Sequence, residues 1–163
     1  MDSSGWSQRQ GHGLTQVGVL LFLCALLVGL AVPRFAVPRL GLSAHLLGIM
    51  QGIFLIAMGL LWPRLELSRV ASTIACVLAV YGCLAAWAAN VLAAAWGAGN
   101  TILPIAAGSA RGTPPQEGAI NLALRSAALS LIAASLLILW GLRTFRPSRN
   151  VEAPATDAQS RTM

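Results

Sequence analysis

The chain has 163 residues, of which 56% are hydrophobic and 10% charged, and its mean hydropathy is +0.72. A water-soluble domain, in which about a quarter of residues are charged, is excluded. The formal net charge of +6 comes from arginine alone, and the arginines bracket apolar runs instead of forming one basic surface interleaved with aromatics, which argues against nucleic-acid binding.

In chain order, residues 1–12 are polar and read as a flexible N-terminal tail. Four apolar runs follow, over 14–32, 44–62, 70–96 and 120–142, and none contains Asp, Glu or Lys. Each approaches or exceeds the roughly 20 residues a helix needs to cross a bilayer. The first is too long for a signal-peptide core of about 7–15 residues and leads into Pro33-Arg34-Phe35, so it is expected to remain in the mature protein. The connections 33–43 and 63–69 are short, with Pro33, Pro38 and Pro63 marking helix boundaries. These features predict an all-α integral membrane four-helix bundle over 13–143, running up-down-up-down. The third connection, 97–118, is rich in Gly and Pro around an apolar middle, 102–107. It reads either as a lid or partner contact or as a segment skimming the headgroups. Residues 144–163 read as a disordered C-terminal tail. In this topology Arg9, Arg64, Arg69, Arg143, Arg146 and Arg149 share one side, against Arg34, Arg39 and Arg111 on the other. The positive-inside rule then places both termini in the cytoplasm.

The sharpest constellation lies in the second run. His45, Gly48, Gly52 and Gly59, at offsets of 3, 7 and 14 from the histidine, share one helical face. Two readings stand: a small-residue seam along which two backbones approach, or room for a flat object beside a metal-ligating imidazole. Gln51 borders this face. In the third run Cys76, Cys83, Trp87 and Asn90 form a stripe expected to face the bundle, because an amide is costly in lipid. Tyr81 projects to the opposite side. His12, between Gly11 and Gly13, reads as a surface histidine or as a cofactor-edge or proton-handling group. Glu117, Asn121 and Arg125 make a polar stripe at the start of the fourth run, with Arg125 either snorkelling to the interface or facing an internal cavity. Trp6, Trp62, Trp96 and Trp140 read as interfacial anchors. The three cysteines lack metal-ligand spacing and are expected to be reduced. All five carboxylates fall in tails or connections, which argues against hydrolysis by a carboxylate pair.

The run Pro38-Arg39-Leu40-Gly41-Leu42-Ser43-Ala44-His45-Leu46-Leu47-Gly48, with Gly52, Ala57-x-Gly59, Tyr81-Gly82, Ala89-Asn90 and Ala94-Ala95-Trp96-Gly97-Ala98-Gly99, resembles the hydroxylaminobenzene mutase family. So do Pro104-Ile105-Ala106-Ala107-Gly108, Gly112-Thr113-Pro114 and Leu139-Trp140-Gly141-Leu142-Arg143. The resemblance covers approximately 11–143, loops included. It implies a small bacterial inner-membrane enzyme that rearranges N-phenylhydroxylamine to 2-aminophenol in nitroarene degradation. More distantly, Gly11-His12-Gly13, Ala44-His45 and Gln51-Gly52 are similar to styrene oxide isomerase. That second resemblance implies a homo-oligomer, a trimer, with haem b and a histidine axial ligand, here His45. Gln51 then stands near the substrate, together with Asn90 and Tyr81 as candidate catalytic groups, while Gly48, Gly52 and His12 border the cofactor. Glutamine replaces the asparagine of styrene oxide isomerase, and its active-site tyrosine has no clear counterpart, the nearest positions being Ala89 and Asn90. These departures favour the mutase over epoxide chemistry; a non-catalytic haem-binding or assembly subunit is the remaining alternative.

Overall fold

The computed structural model describes residues 3–143. Helix α1 spans Ser3–Ala31, α2 Pro38–Leu61, α3 Arg69–Trp96, α4 Pro104–Ala107 and α5 Pro114–Arg143, with single 3-10 turns at Val32–Arg34 and Trp62–Arg64. α1, α2, α3 and α5 are long and apolar enough to cross a membrane, so the expected all-α four-helix bundle is present. The expected flexible tail is corrected: α1 begins at Ser3, and most of residues 1–12 are helical. The expected C-terminal tail, 144–163, lies outside the described residues.

Local chemistry sets the helix ends. Val37 is extended ahead of Pro38, which opens α2 where its missing N–H costs nothing. Ser68 caps α3 by accepting from the Ala71 N–H at 3.3 Å. α3 ends at Gly97, whose φ of 65° is left-handed and whose N–H reaches Ala93 O. At the start of α5, Gln116 Oε1 accepts from the Thr113 N–H at 2.9 Å, the returning half of a capping box.

Contacts between the helices fix an alternating topology. A Cβ on Gly59 would lie 2.5 Å from Gly11 O, and one on Gly52 2.9 Å from Gly18 O, so α1 and α2 run antiparallel with their backbones nearly touching. α2 and α3 are antiparallel too, with Gly48 against Trp87 and the Val37 N–H donating to Ala94 O at 3.2 Å. α3 meets α5 where Gly82 faces Leu131 and Ala127. At one end of the bundle the Glu66 N–H donates to Gly141 O, and Gln10 Oε1 accepts from Trp62 Nε1 at 3.0 Å and from Ser72 Oγ at 2.7 Å. Trp62 is 1% exposed and belongs to the core, which corrects its reading as an interfacial anchor. Trp6, Trp96 and Trp140 are exposed, as an aromatic belt requires.

The connection 97–113 folds over the other end. Its organiser is Glu117, whose Oε1 accepts from the N–H groups of Gly99, Asn100 and Gly112 and whose Oε2 accepts from Thr101 N–H and Oγ1. Beneath it Leu40, Ala93, Ala94, Ala98, Ala107 and Ile120 form a second core cluster, while Ile105 stands out with 91% exposure. Arg125 is exposed, so it does not face an internal cavity.

Candidate functional site

His45 lies on the second turn of α2, half-buried against the C-terminal half of α1. Its Nδ1 is 2.7 Å from Ala25 O. The carbonyl can only accept, so this contact requires a proton on Nδ1, and in the neutral ring Nε2 is then the nitrogen with a free lone pair. Gly29, one turn further along α1, makes the arrangement possible: a Cβ there would lie 2.5 Å from Nδ1 and 2.6 Å from Cε1. Beside the ring is a cavity of about 590 Å³, lined by Leu26, Gly29, Leu30, Val32, Pro33, Leu42 and His45. Leu30 is 80% exposed and Leu42 50%, so the cavity opens on the outer face of the bundle. An apolar molecule dissolved in a bilayer could reach the imidazole there without passing through water.

The glycine face is resolved in favour of close packing. Gly52 and Gly59 are filled by the α1 backbone at Gly18 and Gly11, and Gly48 by Ala25 Cβ and the Trp87 ring. Hence Gly48 and Gly52 do not border an open space for a flat object, and the cavity beside His45 lies instead toward Gly29 and Leu30. Sequence reasoning missed Gly29 as a partner of His45. No sequence signal pairs the two, because the Ala25 acceptor that brings the ring to Gly29 is set by how α1 and α2 pack.

Gln51 and Asn90 are both buried, at 8% and 6% exposure. Asn90 donates from Nδ2 to Ala86 O at 2.9 Å, within its own helix. Gln51 Oε1 and Trp87 Nε1 are buried without a hydrogen-bond partner among the described residues. Cys83 is fully buried beside them in the inner stripe of α3, and the cysteines are free. Tyr81 is 46% exposed on the far side of α3, where its hydroxyl pairs with Ser126 Oγ at 2.9 Å. It is nine residues, roughly 13 Å along the axis, from Asn90. His12 is exposed near the start of α1, 13 residues or about 20 Å from the turn that holds His45. The structure thus gathers Gly48, Gln51, Trp87 and Asn90 on the inner side of α2 and α3, holds His45 against α1 instead, and leaves Tyr81 and His12 away from both.

Among the described residues no group of three or more His, Cys, Asp or Glu side chains could hold a metal ion. A bare catalytic zinc, which takes three protein ligands, therefore has no site here; His45 is a single imidazole with a fixed ring.

The family model of styrene oxide isomerase matches residues 10–143, which takes in all four long helices. The chain is 49% identical over 146 residues to the hydroxylaminobenzene mutase HabB of Ectopseudomonas oleovorans, covering 90% of this chain and 89% of that protein. It is 42% identical over 125 residues to HabA, a second hydroxylaminobenzene mutase of the same organism, covering 77% of this chain and 93% of the relative. No solved structure matches. A match that runs through the Glu117-bound loop as well as the apolar helices is not explained by membrane composition, and the chain belongs to the styrene oxide isomerase family, as an isomerase related to the hydroxylaminobenzene mutases.

Proposed function

We propose that this protein rearranges N-phenylhydroxylamine to 2-aminophenol in the bacterial inner membrane, as a homo-oligomer, with both termini in the cytoplasm. The observation that carries the reading is the oriented imidazole of His45 at the wall of an apolar cavity open to the bilayer, in a chain nearly half identical to a hydroxylaminobenzene mutase. The reaction balances within one molecule: the N–O bond breaks, a C–O bond forms at the ortho carbon, and the ortho hydrogen ends as a proton on nitrogen. It therefore needs no reductant and no oxygen.

The residues fit haem b. Haem iron arrives with four ring nitrogens and asks the protein for a histidine, which is the donor set present. His45 would hold it through Nε2, with the Ala25 carbonyl fixing the ring's tautomer and orientation. Such an iron supplies a Lewis acid for the oxygen being transferred. The chain itself supplies the rest. Leu26, Leu30 and Leu42 admit an aromatic ring and exclude water, which would otherwise compete for the electron-poor aryl group. The buried amides of Gln51 and Asn90, which lie outside that lining on the inner side of α2 and α3, are assigned to the substrate's polar end.

Membranes containing the protein are expected to convert N-phenylhydroxylamine to 2-aminophenol without NAD(P)H or oxygen, and in ¹⁸O-labelled water the product should carry no label. Labelled product would replace intramolecular transfer with water attack. Turnover of styrene oxide but not of the hydroxylamine would favour the epoxide isomerase reading, and turnover of neither by well-folded protein would favour a non-catalytic subunit. The purified protein should show a Soret band that His45→Ala abolishes while the thermal unfolding transition persists. A colourless, fully active wild type would remove haem from the proposal. Reporter fusions at residue 163 and within 108–113 should fall on opposite sides of the membrane.

A further inference from the structure

We infer that Trp87 contacts the substrate, its indole N–H forming with Gln51 Oε1 a donor–acceptor pair that grips a single hydroxyl-bearing group. A Cβ on Gly48 would be 2.6 Å from both Cδ1 and Nε1 of Trp87, so the N–H edge of the indole is the edge that meets α2. Packing alone explains a ring at this position; it does not explain a buried N–H with nothing to donate to. The Gly48 carbonyl is engaged in the ladder of its own helix. Gln51 is one turn from Gly48, with Cβ positions at such spacing about 5–6 Å apart, and its buried carbonyl oxygen is likewise without a donor. Buried polar atoms are paired in the great majority of cases, and leaving one unpaired costs more than a hydrogen bond returns. Two such atoms of opposite sense on one seam, within about two turns of His45, call for a guest that both accepts and donates. An N–OH group does so: its oxygen accepts from Trp87, and its O–H donates to Gln51.

This inference rests on the mutase reading for the identity of the substrate, and the test separates the two. Full-length protein, purified as it is made, is compared with Trp87→Phe, which keeps an aromatic ring against Gly48 and removes the N–H. On N-phenylhydroxylamine, kcat/KM should fall about fivefold or more, the range expected for one lost hydrogen bond. Inhibition by aniline, which keeps the ring and nitrogen but lacks the oxygen, should change by less than about twofold on the same reasoning. Trp87→His, which restores a ring N–H, should recover part of the loss. Equal weakening toward both compounds, or no change toward either, would reduce Trp87 to packing and overturn the inference. A second readout does not depend on turnover. In protein labelled with ¹⁵N at the indoles, the Trp87 N–H resonance, identified by its absence from Trp87→Phe, should move downfield with N-phenylhydroxylamine and stay in place with aniline. A shift without turnover would retain the site and defeat the mutase reading; turnover without a shift would do the reverse.

Discussion

Replacing Gly59 with alanine should destabilise the bundle, although alanine is the better helix former. The new Cβ would sit 2.5 Å from Gly11 O and 2.9 Å from Thr15 N, with Thr15 Oγ1 nearer still. Ordinary contact needs about 3.5 Å, so α1 and α2 must part by roughly 1 Å or deform. Two of the three obstacles are backbone atoms, which no rotamer change relieves. Overpacking of this kind costs about 1–3 kcal/mol, against about 1 kcal/mol recovered in helix propensity. Helix association in lipid draws on packing and interhelical hydrogen bonds without a hydrophobic drive, so a gap along this seam is not offset elsewhere. Gly13→Ala supplies the control: it lies in the same helix pair with nothing within 4 Å of a new Cβ, and should gain up to about 1 kcal/mol. At roughly 2–4 °C per kcal/mol for chains of this size, thermal scans in one detergent at one scan rate should place Gly59→Ala several degrees below Gly13→Ala. Gly59→Ala unfolding at or above Gly13→Ala would refute the close approach of α1 and α2.

That seam marks how far the sequence could be read. The four spans were legible because uninterrupted apolar runs admit little else, and the inner face of α3 was legible because Asn90 and Cys83 recur with helical spacing. The glycine face of α2 was visible, but its occupant was not, since periodicity identifies a face and never its partner. A clue did exist: Gly11 and Gly18 repeat in α1 with the same seven-residue spacing as Gly52 and Gly59 in α2. Residues 3–12 misread as a tail because Ser, Gln and Arg favour water locally, whereas Gln10 is held by Trp62, Ser72 and Thr73. The same network buries Trp62, whose position at a span end fitted an aromatic belt equally well. Within the site, His45, Gln51 and Asn90 stood out as polar groups in apolar runs. Trp87 was placed on the inner stripe of α3 but given no polar role, because an indole counts as apolar until its N–H is found without an acceptor.

Three further outcomes follow from single contacts. Glu117→Leu removes the acceptor of five hydrogen bonds to residues 99, 100, 101 and 112. Even discounted for solvent access, this should cost about 1–3 kcal/mol and expose the connection 97–113 to limited proteolysis; unchanged protection would mean that the loop is held by its apolar contacts. Trp62→Phe loses an indole N–H shared by Gln10 Oε1 and Ser72 Oγ and should lower stability by about 1 kcal/mol, whereas Trp140→Phe, at an exposed position, should change it by less than about 0.5 kcal/mol. Gly29→Ala tests the imidazole directly. Its Cβ would meet Nδ1 at 2.5 Å and Cε1 at 2.6 Å, so the ring must leave the Ala25 carbonyl or tilt toward the cavity. Unlike Gly59, this position is crowded by a side chain that can move, so the penalty should appear in function more than in folding. If the proposed haem is held by His45, pigment content per protein and turnover should both fall by about 10–100-fold, the range seen when a partner orienting a ligand is lost, while the unfolding temperature changes by only a few degrees. Full pigment content and full activity in Gly29→Ala would show that the proposed role of His45 does not depend on the orientation imposed by Ala25.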